Sequence, residues 1–248
     1  MKIKKVGNRG ILFTFSELKD SHYDCVTNIY VINTKEYFFI CDTYIGAYYI
    51  KQVKDYLEDN FGKKKYIAFN SHGHWDHIWG NSEFKDCVII SHELCKEFID
   101  KYAQKALSIN KEKFAKDEIE IVLPNITFSE KIRFEEEGVE FFYSPGHSKD
   151  SASCYDYQDN TLFVGDNIDD PIPYFMCWNE LDVYKKTLEG YLDINADIVV
   201  QSHGDIKDNS LIKDNISYID KLIKKEKIEF MDEDALKKHK VNIKSLKI

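Results

Sequence analysis

The sequence predicts an α/β (α+β) protein in which β-sheets pack together beneath a cover of helices, and three observations predict it. Short apolar β runs alternate with helical stretches along the chain. No repeat, Pro/Gly-rich linker or low-complexity block interrupts the 248 residues, a length that one large sandwich domain reaches. Four segments bearing His or Asp each follow a β run, where α/β and sandwich folds place their functional loops.

The elements follow in order. Ile11 to Phe15, Val26 to Ile32 and Tyr37 to Ile40 are short runs rich in β-branched and aromatic residues, and they read as strands. From Ala47 to Asn60 the spacing changes, and Ile50, Val53, Leu57 and Phe61 lie along one helical face. Tyr66 to Phe69 is a strand that runs directly into Ser71-His72-Gly73-His74. Val88 to Ile90 is another, followed by a Lys-rich helix over about 93–116. Strands are then expected at 126–128, 139–143, 153–157 and 161–164, a helix at 181–192, a strand at 198–201 and a charged helical tail at 209–248.

Composition narrows the function. Lys and Arg number 34 against 43 Asp and Glu, a net charge of −9, which opposes the basic face that nucleic acid requires. The basic start, Met1-Lys2-Ile3-Lys4-Lys5, is followed by no apolar signal core, and nothing later approaches a membrane span. Six cysteines are scattered without a C-x-x-C pair, which favours reduced thiols. These features predict a cytoplasmic protein that engages neither nucleic acid nor membrane.

The chemistry concentrates in His72-Gly73-His74-Trp75-Asp76-His77. His72 and His74 are two apart on chain leaving a strand, so their side chains can point the same way. Asp76 and His77 fall where the chain turns into a helix, aimed at an adjacent point. Imidazole and carboxylate suit zinc or iron. Downstream come Ser144-Pro145-Gly146-His147-Ser148, Val164-Gly165-Asp166-Asn167 and Gln201-Ser202-His203-Gly204-Asp205. Each is weak alone, but with the first motif they supply five of the chain's eight histidines and leave His22, His92 and His239 over.

The order His-x-His-x-Asp-His, Pro-Gly-His, Gly-Asp, Ser-His-Gly resembles the metallo-β-lactamase superfamily from about Val26 to Asp205. The resemblance implies a four-layer αβ/βα sandwich with metals at one edge between two sheets. It implies a single domain over 1–248, with a helical insertion near 93–116 and a helical tail at 209–248. His72, His74 and His147 would hold one metal, Asp76, His77 and His203 a second, and Asp166 would bridge them. Asp42 matches a family acid that supports the site from behind. Two divalent ions are implied, with zinc first and iron or manganese as alternatives. Such a pair lowers the pKa of a shared water to about 7, and the resulting hydroxide is the expected nucleophile, with Asp76 taking up its proton.

The expected function is hydrolysis of an ester, thioester, lactone or similar bond in a small molecule. Asp166, typically cysteine or otherwise altered in the zinc β-lactamases, directs the resemblance toward glyoxalase II-like and lactonase-like hydrolases. The alternative is an iron-dependent oxidoreductase of the sulfur dioxygenase or diiron type. Tyr174, in the segment after Asp166, is a candidate donor to a developing oxyanion, and packing the loop is its competing role. His22 is expected at the rim of the site. Core packing is expected of Trp79, and Trp75 is open to either role. The helix at 93–116 is a candidate cap for the site or support for a homodimer.

Overall fold

The computed structural model describes residues 1–175, 180–230 and 232–246. Among them, seven strands form the first sheet in chain order: β1 (Lys2–Val6), β2 (Gly10–Phe15), β3 (Thr27–Asn33), β4 (Tyr37–Cys41), β5 (Lys65–Asn70), β6 (Val88–His92) and β7 (Ile126–Phe128). The first four pair antiparallel and the rest parallel. The second sheet runs β12 (Ile198–Val200), β11 (Thr161–Phe163), β10 (Ala152–Asp156), β9 (Val139–Tyr143), β8 (Lys131–Phe134). Within it only β11 and β12 are parallel.

Strand alternation explains why the two sheets stack between helices. Ile11, Phe13, Ile29, Val31, Phe38 and Ile40 face one way and pack on Val53 and Leu57 of helix α1 (Ala47–Phe61) and on Cys95, Ile99 and Ala103 of α3 (Glu93–Phe114). Their neighbours Leu12, Tyr30, Ile32, Phe39 and Cys41 face the other way, onto Val139, Phe141, Cys154, Phe163 and Val200 of the second sheet. Phe69 and Phe141 stack across this interface at 4.3 Å. The outer face of the second sheet, with Leu162 and Val199, packs on Tyr184, Leu188 and Tyr191 of α4 (Leu181–Ile194) and on Ile212 and Ile219 of α5 (Asn209–Ile223). The result is a four-layer αβ/βα sandwich. No helix among the described residues is long and apolar enough to cross a membrane.

Two strands differ from the sequence reading. β1 is an exposed edge strand whose lysines leave only Val6 buried, and β8 is likewise an edge with no buried residue. Charged edges protect against pairing with other chains, and they also hide the strand from a search for apolar runs. The tail is two helices, α5 and α6 (Glu233–Leu246), separated by a turn at Lys224–Lys225, where Lys225 takes φ 56. Its last two residues, and 176–179 with Cys177 and Trp178, lie outside the described residues. The other five cysteines are free thiols.

Arg9, in the β1–β2 turn, ties the two sheets together. Its guanidinium holds the fully buried Asp156 through bonds of 2.8 and 2.6 Å and also donates to the carbonyls of Glu137 and Gly138. Removing one partner of a buried pair leaves an uncompensated charge. Arg9→Ala is expected to lose about 3 kcal/mol of folding stability in urea titration; a loss within about 0.5 kcal/mol would show that the pair is dispensable.

Candidate metal centre

The site lies where the C-terminal ends of β5, β9, β11 and β12 approach one another, one from the first sheet and three from the second. β5 runs into Ser71-His72-Gly73-His74, and the short helix α2 (Trp75–Ile78) then carries Asp76 and His77. The loop after β9 supplies His147, the loop after β11 supplies Asp166, and the loop after β12 supplies His203. All seven side chains fall into two groups, His72, His74, His147 and Asp166 in one, Asp76, His77 and His203 in the other. Within each group the ligand-type atoms lie within 4.8 Å of one another.

The separations around Asp166 and Asp76 fit metal coordination better than hydrogen bonding. Donors about 2.0–2.2 Å from a tetrahedral ion stand about 3.3–3.6 Å from one another. Asp166 Oδ2 is 3.7 Å from His72 Nε2, 3.7 Å from His147 Nε2, 3.5 Å from His77 Nε2 and 3.3 Å from His203 Nε2, so it stands between the groups. Asp76 Oδ2 is 3.4 Å from His77 Nε2 and 3.5 Å from His203 Nε2. His74 Nδ1 lies 2.8 Å from His72 Nε2 and 3.2 Å from His147 Nε2. Two buried atoms, His77 Nε2 and Asp166 Oδ1, have no hydrogen-bond partner among the described residues. Orphaned buried polar atoms are costly, and a cation is the species that would satisfy this donor set.

Electrostatics divide the imidazoles. Burial, reinforced by neighbouring imidazoles, holds His72 well below its usual pKa and lowers His74; the same causes bring His147 down to about 4. These three present lone pairs at neutral pH. Burial also opposes charge on His77 and His203, but Asp166, Asp76 and Asp42 together outweigh it at His77 and Asp166 with Cys25 at His203, and their pKa values rise. Burial would raise the Asp76 carboxyl, yet His77 and His203 bring it down to about 2.

In four of the five imidazoles the inward-facing nitrogen is aimed by a contact at the other. His77 Nδ1 donates to Asp42 Oδ2 at 2.9 Å, His203 Nδ1 to the Val26 carbonyl at 2.9 Å, and His147 Nδ1 to the Tyr174 carbonyl at 2.7 Å. His72 Nδ1 is 3.0 Å from Ser71 Oγ. Asp42 also accepts from Ser71 N and Ser71 Oγ, both at 2.8 Å, so it joins the two loops behind the ligands. Its own φ of 63 costs about 1–2 kcal/mol. Charge-assisted bonds at about 1.5–3 kcal/mol each outweigh that cost. Gly165 sits at φ 58 with Ser71 Oγ only 2.8 Å from where a Cβ would stand, so only glycine lets the Asp166 loop approach the His72 loop this closely.

Three supports escaped the sequence reading. Asp150 is nine-tenths buried and accepts from Gly73 N at 2.8 Å, holding the peptide between His72 and His74. Asn167 Oδ1 accepts from His147 N at 2.8 Å, and its amide reaches the Ser144 carbonyl and Tyr191 Oη. Thr43, Asn70 and Asn81 form a buried network that ends on the His77 carbonyl. Asp150 and Asn167 do sit within three residues of a ligand, the one signal that could have marked them.

The remaining candidates lie around this centre. Tyr174 is half-buried, with its ring centroid 6.3 Å from that of His147. His22 packs on Tyr23 at 3.8 Å, and Tyr23 in turn meets Trp75 at 5.4 Å. Trp79 is fully buried in the core, and Trp75 stacks on Phe114 of α3. Also on α3, Phe98 packs against His74 at 5.6 Å. His92 caps α3 and bonds the Ser129 carbonyl, and His239 pairs with Tyr218 Oη.

Comparison with known proteins agrees with this architecture. A curated hydroxyacylglutathione hydrolase of Pelagibacter ubique is 29% identical over 118 residues, which span 48% of this chain and 42% of that relative. The chain thus spans less than half the length of that relative. The structure of a metallo-beta-lactamase from Pontibacter korlensis superposes with a TM-score of 0.67 at 18% identity, covering 88% of this chain and 98% of the other. A metallo-beta-lactamase from Hirschia baltica gives a TM-score of 0.68 at 17% identity, over 88% and 96% of the two chains. Residues 22–205 match the family model of the metallo-beta-lactamase superfamily, and the chain belongs to that superfamily.

Proposed function

We propose that this protein is a metal-dependent hydrolase that holds two divalent ions, zinc first among them, and cleaves an ester, thioester, lactone or similar bond in a small molecule. The observation that carries the reading is Asp166 Oδ2 standing 3.3 to 3.7 Å from four imidazole nitrogens that belong to both ligand groups. His72, His74 and His147 would hold one ion, Asp76, His77 and His203 the other, and Asp166 both. The likeness to a hydroxyacylglutathione hydrolase favours a thioester as the first bond to test.

When bound, the ions supply an activated water with a pKa near about 7 and Lewis acidity toward the substrate oxygen. The chain's own residues do the rest. Asp76 would offer one carboxylate oxygen to an ion, and its other oxygen would orient the attacking water and take its proton. Tyr174, whose ring lies beside His147, would donate to the oxygen that gains charge. His22 and Tyr23 form the facing rim, and Tyr23 lies within electrostatic reach of both Asp76 and Tyr174. Lys207 pairs with Asp170 and Lys238 with Asp169, so these two cations beside the described part of the loop are already paired. That arrangement favours a substrate recognised by shape and apolar contact rather than by several negative charges.

Purified protein assayed against thioesters, esters, lactones and phosphodiesters should hydrolyse at least one class. Chelation should abolish that activity and zinc should restore it; turnover that survives exhaustive chelation would refute the reading. His74→Ala should lower kcat/KM by at least about 100-fold while leaving the far-ultraviolet circular dichroism unchanged. Asp42→Ala, which leaves His77 Nδ1 without its acceptor, should weaken zinc affinity by about 10- to 100-fold in a chelator competition; an unaltered affinity would remove Asp42 from the account.

A further inference from the structure

The C-terminal helix α6 lies beyond residues 22–205, the part matched by the family model, yet one of its side chains reaches the metal centre through a single peptide group. Asn242 is fully buried. Its Oδ1 accepts from Phe175 N at 3.0 Å, and its Nδ2 donates to the Pro173 carbonyl at 2.7 Å and to Tyr218 Oη at 3.2 Å. The Phe175 N–H and the Tyr174 carbonyl belong to the same planar peptide, so fixing the direction of one fixes the other. That carbonyl is the one that accepts from His147 Nδ1 at 2.7 Å.

From this relay we infer that Asn242 is a positioning residue for His147, holding the Tyr174–Phe175 peptide so that the imidazole keeps its proton on Nδ1 and turns Nε2 toward the ligand group. A carbonyl can only accept, so whenever it faces Nδ1 that nitrogen carries the proton. Nε2 then keeps its lone pair, 3.2 Å from His74 Nδ1. The N–H bond to Asn242 also polarises the peptide and strengthens its carbonyl as an acceptor.

The surrounding contacts make the loop a fixed support. Asn215 of α5 bonds both the N–H and the carbonyl of Asp169, at 3.0 Å each. Lys238 of α6 pairs with Asp169 at 2.6 Å. Phe175, almost wholly buried, packs on Tyr184 and Tyr218. Residues 169–175 are thus pinned from their outer side by α5 and α6, and the Tyr174 carbonyl turns toward the candidate metal centre. The tail helices therefore act on the site without contributing a ligand.

The inference rests on the metal-centre reading for its consequence, and its geometry is testable without metal. Nitrogen-15 spectra of the histidine rings in metal-free protein should show His147 as the Nδ1–H form with a slowly exchanging ring proton. In Asn242→Leu, or Asn242→Ala where Leu does not fold, that proton should exchange rapidly and both tautomers should appear. Zinc affinity of the variant should fall by about 10- to 100-fold, while Asn242→Asp, which keeps the acceptor for Phe175 N–H, should stay within about threefold of the parent. A folded Leu or Ala variant with the parent's His147 signal and zinc affinity would overturn the inference. If the parent chain binds no zinc, the metal reading falls, and the ring-proton signal still decides whether Asn242 orients His147.

Discussion

Five imidazoles and two carboxylates converge at one edge of the sandwich with their ligand atoms turned toward each other, and the rest of the architecture has to tolerate that convergence. Each buried ionic group carries a desolvation penalty of several kcal/mol, and orphaned atoms such as His77 Nε2 and Asp166 Oδ1 add to it. Hydrogen bonds at the two carboxylates do not offset this, because the six separations around Asp166 and Asp76 all exceed 3.2 Å. Cations would offset it. Structural zinc in small peptides is worth about 10–16 kcal/mol at neutral pH, enough to outweigh several such penalties.

The fold meets the constraint by dividing labour between strand ends and their supports. Only one ligand-bearing segment comes from the first sheet, so the two sheets must be registered against each other for the groups to meet. Phe69 stacked on Phe141, one strand on each sheet, and the Arg9–Asp156 pair supply that registration in apolar and ionic form. Gly165 lets the loops touch, and Asp42, Asp150 and Asn167 hold them in place. The carbonyls of Val26 and Tyr174 then set which nitrogen of His203 and His147 faces inward.

Much of this was legible in the chain. The motif His72 to His77 and the later His147, Asp166 and His203 stood out because ligand residue types are rare and their order is specific. Helix α1 was legible because Ile50, Val53 and Leu57 repeat at helical spacing, and α3 because its stretch is long and Lys-rich. β1 and β8 were not, since an edge strand exposes its polar groups and shows no apolar run. Nor were the supports. Asp150, Thr43 and Asn242 are ordinary polar residues in sequence, and only long-range packing reveals that each satisfies a backbone group at or near a candidate ligand. Such roles depend on contacts between residues tens of positions apart, which local pattern does not encode.

The central claim is that seven side chains make one two-ion centre. Elemental mass spectrometry of the purified chain, with its visible absorption spectrum, tests it most directly. The account predicts about two divalent ions per chain, colourless where they are zinc, falling below one in Asp166→Ala. A chain that remains metal-free after incubation with zinc, iron and manganese, or one whose metal content is unaffected by loss of Asp166, would contradict it.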